Sequence, residues 1–86
     1  MPAISQFYGI IIYMYFEDHN PPHFPAEYRE HEALIEIESL QVYAGSLPRK
    51  GLGLVLDWAE LHQQELRDNW NRLRKGESVA RINPLP

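Results

Sequence analysis

At Pro48 the hydrophobic period of this chain changes, and that change limits what it can fold into more than any other feature. Before it, apolar residues come in short runs or alternate. In "EALIEIE" (32 to 38), Ala33, Ile35 and Ile37 face one way, while Glu32, Glu36 and Glu38 face the other with Leu34 among them. After it, Leu52, Val55, Ala59, Leu66, Trp70 and Leu73 recur every three or four residues along one stripe. The expected fold is therefore α+β: a three- or four-stranded, mostly antiparallel sheet followed by one long C-terminal helix packed on one face. With 86 residues, 44% of them hydrophobic, the chain suits a single small domain, with sheet over 1–45, helix over 46–76 and an extended tail over 77–86.

Within the first half, "FYGIIIYMYF" (7 to 16) carries apolar residues on both parities, the pattern of a strand buried on both faces, and is expected at the centre of the sheet. "HFPAEYR" (23 to 29) and "EALIEIE" have the spacing of a hairpin, and "LQVYAG" (40 to 45) adds a fourth short strand. Pro25 removes a ladder N–H, which predicts an edge position for its strand. In the second half Ser46 is the expected N-cap, Pro48 fits the first turn, and Gly76 can close the far end. A helix of roughly 28 residues reaches about 40 Å. That exceeds what a small sheet covers, so the last turns are expected to project and offer Trp70 and Leu73 to a partner, unless both pack against the tail "VARINPLP".

The chain has no cysteine, which excludes a disulfide framework, a thiolate nucleophile and a cysteine-based zinc site, and it is consistent with a reducing cytoplasm. The longest apolar run, 9 to 16, is too short to span a bilayer and no basic leader precedes it, so neither membrane insertion nor export is expected. Net charge is −4, unevenly placed: residues 1–45 hold one basic residue against seven acids, and residues 46–86 hold seven against five. An acidic first half repels phosphate backbones, so RNA would meet the second half, while overall acidity favours a protein partner.

Residues 17 to 23 read "EDHNPPH". Pro21 and Pro22 fix two φ angles and push Asn20 toward an extended conformation, making a stiff elbow between strands. Asp18 and Asn20 suit Asx-turns that bind nearby backbone amides. The alternative is chemical: His19 and His23, held at the sheet's end by that elbow, could act as acid and base with Asp18 orienting one imidazole, or hold a divalent metal if a third ligand such as Glu17 or Asp18 joined them. The spacing across Pro-Pro does not decide among these. No cofactor is implied.

"FYGIIIYMYFEDHNPPHF", "AEYREHEALIEIESL", "GSLPRKGLGLVLDWAELHQQEL" and "NWNRLRKGESVARINPL" together resemble the bacterial domain-of-unknown-function family 4160, most specifically at D-H-N-P-P-H-F and G-S-L-P. The resemblance implies a small protein without an established activity, of a kind often encoded beside another short gene in arrangements like toxin–antitoxin modules. A small protein partner encoded nearby is the expectation that follows. The family pattern continues P-P-H-F with a further histidine, giving H-x-H. This chain has Pro25 there, so His19, Asn20 and His23 carry over and the second half of that pair does not.

A second candidate site is the helix start, "GSLPRKG". Arg49 and Lys50 stand in a first turn where the macrodipole disfavours positive charge. With Ser46 and free backbone amides they could bind an anion, RNA phosphate included, or they could simply reach the glutamates of the third strand. His62, on the apolar stripe, reads as half-buried and locally hydrogen-bonded, and Arg72, Arg74 and Lys75 complement the helix C-terminus. Two functional readings stand together: an interaction protein of a two-gene module, and a histidine-dependent ribonuclease or RNA-binding toxin-like protein. Divalent-metal binding is a third, enzymatic activity is left undecided, and a homo-oligomer is compatible with all of them.

Overall fold

The computed structural model of the protein describes residues 3–16 and 21–86. Among these residues five strands form one antiparallel sheet in chain order: β1 (Ala3–Phe7), β2 (Ile10–Tyr13), β3 (His23–Tyr28), β4 (His31–Glu36) and β5 (Val42–Gly45). Two helices follow, α1 (Arg49–Leu61) and α2 (Gln63–Arg74). The α+β class agrees with the sequence. Strand number and helix continuity do not.

The run 7–16 is not one central strand. Tyr8 and Gly9 both take positive φ, 48° and 80°, and Phe7 pairs with Ile10, so the chain reverses through a two-residue turn of the primed type. Glycine occupies that conformation freely, whereas Tyr8 meets a cost of about 1–2 kcal/mol. The two-sided apolar pattern has a simple origin. Ile10, Ile12 and Met14 are fully buried beneath the helices, while Ile11, Tyr13 and Tyr15 half-cover the other face.

Pro25 does not mark an edge either, because β3 is the middle strand. The Ile37 N–H donates to the Pro22 carbonyl at 3.0 Å, which sets the alternation: Phe24, Ala26 and Tyr28 present their amides to β4, and position 25 presents its own to β2. The β2–β3 ladder ends at the Ile12–Ala26 pair. The N–H that proline lacks would therefore lie just past the last rung, where its absence costs little.

The predicted long helix is interrupted at His62, whose φ of −120° and ψ of 24° are not helical and whose N–H is shared between the Trp58 and Ala59 carbonyls. Just beyond it, the Gln63 side-chain amide donates to the carbonyls of Ile37 (2.7 Å) and Glu38 (3.0 Å), and Arg67 Nε donates to Glu38 Oε2 at 2.7 Å. The start of α2 is thus fastened to the β4–β5 turn rather than carried straight on. The longest extent of the molecule is 34 Å, less than an unbroken helix of the expected length. At the N-terminus Pro48, not Ser46, occupies the cap position, and the Ser46 N–H donates instead to the Glu32 carbonyl. At the far end Gly76 (φ 77°) closes α2 as read: its N–H meets the Leu73 carbonyl and the Glu77 N–H meets that of Arg72, a Schellman pair.

Trp58 is the centre of the core. It is fully buried, 5.5 Å from the Phe7 ring and edge-on to Phe24 at 6.0 Å, and its indole N–H donates to the Asn83 carbonyl at 2.8 Å. The tail therefore packs down rather than trailing. Asn69, also fully buried, donates to the Ala80 carbonyl and accepts the Ala80 N–H, and the Ile82 N–H then donates to the Ile4 carbonyl on β1. None of the described helices is long and apolar enough to cross a membrane.

Two glycine substitutions should move stability in opposite directions. Gly53 lies inside α1 with open space where a Cβ would stand, so Gly53→Ala should stabilise by about 0.5–1 kcal/mol and raise Tm by a few degrees. Gly45 has φ 75° and a Cβ there would stand within van der Waals overlap of the Glu32 carbonyl oxygen, so Gly45→Ala should cost more than about 2 kcal/mol. Equal denaturation midpoints for the two variants would refute this account.

The Glu38–Arg67 pair gives a pH dependence. Its hydrogen bond to Arg67 holds the Glu38 carboxyl below the ordinary value of 4.5. A depressed folded value means that the stabilisation is fully present above the unfolded value and is lost as pH falls through the folded one. Arg67→Gln should therefore flatten the acid limb of the stability curve below pH 4.5, measured by urea denaturation, and leave its shape at neutral pH unchanged.

Candidate functional site

Asp18, His19 and Asn20, with Glu17, lie outside the described residues, so the proposed His19–His23 pair and its orienting carboxylate are located only at His23. The Pro21–Pro22 elbow delivers His23 as the first residue of β3, opposite Glu36. Its ring is 5% exposed and lies between two aromatic rings, Tyr43 of β5 at 5.4 Å and Trp70 of α2 at 5.5 Å. The Nδ1 atom is 2.8 Å from the Pro21 carbonyl. A carbonyl can only accept, so Nδ1 carries the hydrogen and, in the neutral ring, Nε2 keeps its lone pair. That arrangement fixes the tautomer of a single imidazole. It leaves one nitrogen able to accept a proton or a hydrogen bond, or to ligate.

The two flanking rings differ in exposure. Tyr43 is 45% exposed on a strand whose four residues all face solvent. Trp70 is buried, and its indole N–H has no hydrogen-bond partner among the described residues. Trp70 and Leu73 therefore do not project from the end of the helix: Trp70 belongs to the core, and Leu73 packs half-buried against it. The alternative, packing by the folded-down tail end of the molecule, matches the Asn69–Ala80 and Ile82–Ile4 contacts. Among the described residues, no three His, Asp or Glu side chains come together as a metal-binding group.

At the opposite end of the sheet, Ser46, Arg49 and Lys50 are all exposed. Neither cation forms an ion pair among the described residues, so the expected reach to the glutamates of the strand now numbered β4 is not seen. Ser46 is separated from them by the Pro48 cap, with its own N–H already bonded to Glu32. Lys50 instead borders a groove with Tyr8, Tyr28 and Leu54. Tyr8 and Tyr28 suit strands by propensity and could equally supply stacking surfaces. The signal that was available is the glycine after Tyr8, which turns the chain there and places the ring at a hairpin tip. His62, as expected, is half-buried and pairs locally, its Nδ1 meeting the Glu65 carboxylate.

The His23 geometry makes a specific expectation for NMR. Long-range nitrogen–proton spectra of the neutral ring should show Nδ1 as the protonated nitrogen. A dominant Nε2–H form would remove the bond to Pro21 from the description of the site.

A family model described as a domain of unknown function (DUF4160) matches residues 9–71. No curated protein and no solved structure matches the chain.

Proposed function

The chain belongs to that DUF4160 family, and from this premise we propose that it is a protein-interaction module that receives an extended segment of a small partner along β5. One observation carries the reading. β5 ends the strand order and all four of its residues are exposed, including Val42 and Tyr43, whereas at β1, the other end of the order, the Ile4 carbonyl is taken by the Ile82 N–H of the tail. An open edge offers unpaired N–H and C=O groups to a strand from another chain, and apolar side chains along it supply selectivity. Glu36 beside this edge favours a segment carrying Lys or Arg.

His23 supports this reading through Tyr43. Its ring packs against that of Tyr43 and so sets the position of the most exposed aromatic on the edge. A catalytic role would require His23 to meet a substrate, and its 5% exposure between two rings favours positioning instead. The partner is expected from the product of the adjacent reading frame, and a second copy of this chain pairing β5 with β5 is the competing occupant.

Co-expression with the neighbouring gene product and titration calorimetry test the proposal. A complex should form, and Val42→Lys, which places a charge on the edge without touching the core, should weaken it at least tenfold, by about 1.4 kcal/mol. Unchanged affinity in that variant would eliminate the β5 edge. A concentration-dependent dimer of the isolated protein, abolished by the same substitution, would replace the foreign partner with a second copy.

A further inference from the structure

In an antiparallel sheet built in chain order, alternate turns fall at the same end. The β1–β2 turn at Tyr8–Gly9, the β3–β4 turn at Arg29–Glu30 and the start of α1 after β5 therefore share one end, away from the Pro21–Pro22 elbow. Between them lies a groove of about 470 Å³ lined by Tyr8, Tyr28, Lys50 and Leu54. Its floor is rigid. The Tyr28 ring is held between Gly9 and Gly51, where an added Cβ would stand 3.6 Å and 2.7 Å from it, so at position 51 the ring occupies space that only glycine leaves. Tyr8 is 60% exposed, yet its hydroxyl donates to the Pro86 main-chain oxygen at 2.6 Å, which holds the second ring from its far edge.

Two cations border these rings, and a third is next to one of them in sequence. The Arg29 guanidinium carbon lies 5.2 Å from the Tyr28 ring centre, Lys50 lines the groove, and Arg49 precedes it in a first turn without any carboxylate. None of the three forms an ion pair among the described residues. Glu27 and Glu32 pair across β3 and β4 on the opposite parity from Tyr28, and Glu30 in the turn lies 4.0 Å from His31 Nε2. In a chain of net charge −4, unpaired cations gathered beside preset aromatic faces are the complement of a planar ring that carries an anion.

We propose that this groove binds a nucleobase bearing a phosphate, the base stacked on Tyr8 and Tyr28 and the phosphate held by Lys50 with Arg29. The inference is independent of the β5 reading. Stacking on aromatic side chains tolerates any base, and the charge requirement separates this ligand from neutral aromatics. A free mononucleotide and the 5′ end of an RNA strand share that chemistry.

The test is titration of isotope-labelled protein with adenosine 5′-monophosphate, adenosine and inorganic phosphate. The mononucleotide should give saturable amide shifts at Gly9 and Gly51 and an upfield shift of its own base protons. Adenosine and phosphate alone should each bind roughly tenfold or more weakly, because each retains one of two contact types. Tyr8→Asn, which keeps a residue that tolerates positive φ, and Lys50→Gln on the exposed helix surface should each weaken binding roughly fivefold or more with the amide spectrum otherwise preserved. A 5′-phosphorylated oligoadenylate that binds no better than the mononucleotide assigns the groove to free nucleotides. Tighter, steeply salt-dependent binding assigns it to a strand end. No saturable shift at millimolar mononucleotide, or shifts that survive both substitutions, would overturn the proposal.

Discussion

The side chain of Asn69 decides which edge of this sheet is open. Fully buried in α2, it reads both polar groups of Ala80, taking the N–H on its oxygen and giving its amide to the carbonyl. A buried amide satisfied in this way is worth far more than its net hydrogen-bond energy, since losing either contact strands a buried group at about 1–3 kcal/mol. The same oxygen also accepts from Arg72 Nη1 at 2.9 Å. With position 80 fixed, Ile82 falls under the sheet margin and donates to Ile4, and Asn83 meets the indole of Trp58. The tail thereby covers β1 and seals the core around Trp58 in one stroke, and the asymmetry between β1 and β5 follows from it.

How much of this was legible depends on whether the deciding interaction is local. The β3–β4 hairpin, the alternation of Ala33, Ile35 and Ile37 and the Gly76 closure are all set by residues adjacent in sequence and stand in the structure as read, and the short strand read as the fourth over 40–45 is the fifth, Val42–Gly45. The run 7–16 misled because a two-residue turn containing a tyrosine hides inside an apolar stretch. The glycine was visible, but the left-handed tyrosine beside it is the less common choice. Pro25 misled for a subtler reason. The rule that proline avoids central strands holds for rungs that need an N–H, and here the pairing of β2 with β3 stops one residue short of needing it. The interruption at His62 was invisible because Gln63 and Arg67 reach back to Ile37 and Glu38, about 25 residues earlier in the chain.

The candidate sites divide along the same line. That Pro21 and Pro22 would position a histidine was readable, since proline acts on its neighbours. That the Pro21 carbonyl would choose the tautomer of His23, and that Tyr43 and Trp70 would enclose the ring, depended on tertiary contacts. Arg49 and Lys50 were noticed because they oppose the helix dipole. Their companions Tyr8, Tyr28 and Arg29 are 20 or more residues away in sequence and are brought near only by two hairpins sharing an end. Trp70 and Leu73 could be read either as a projecting surface, because an unbroken helix would have carried them past the sheet, or as packed against the tail, and with the break at His62 they pack inward.

An open edge normally threatens a small protein with unlimited strand addition, so the form of β5 matters as much as its exposure. It is four residues long and carries an irregularity between Val42 and Ala44, where the register with Leu34 and Ile35 shifts. Short length and a bulge are the devices that stop edges from templating further pairing. They also limit what any bound strand can gain from the backbone to a few hydrogen bonds, each worth only about 0.5–1.5 kcal/mol net. Selective binding on such an edge must then come from side chains, and the ones available are Val42 and Tyr43. Tyr43 owes its position to the imidazole beneath it, so the histidine at the end of the proline elbow and the exposed strand two places away in the sheet act as one surface.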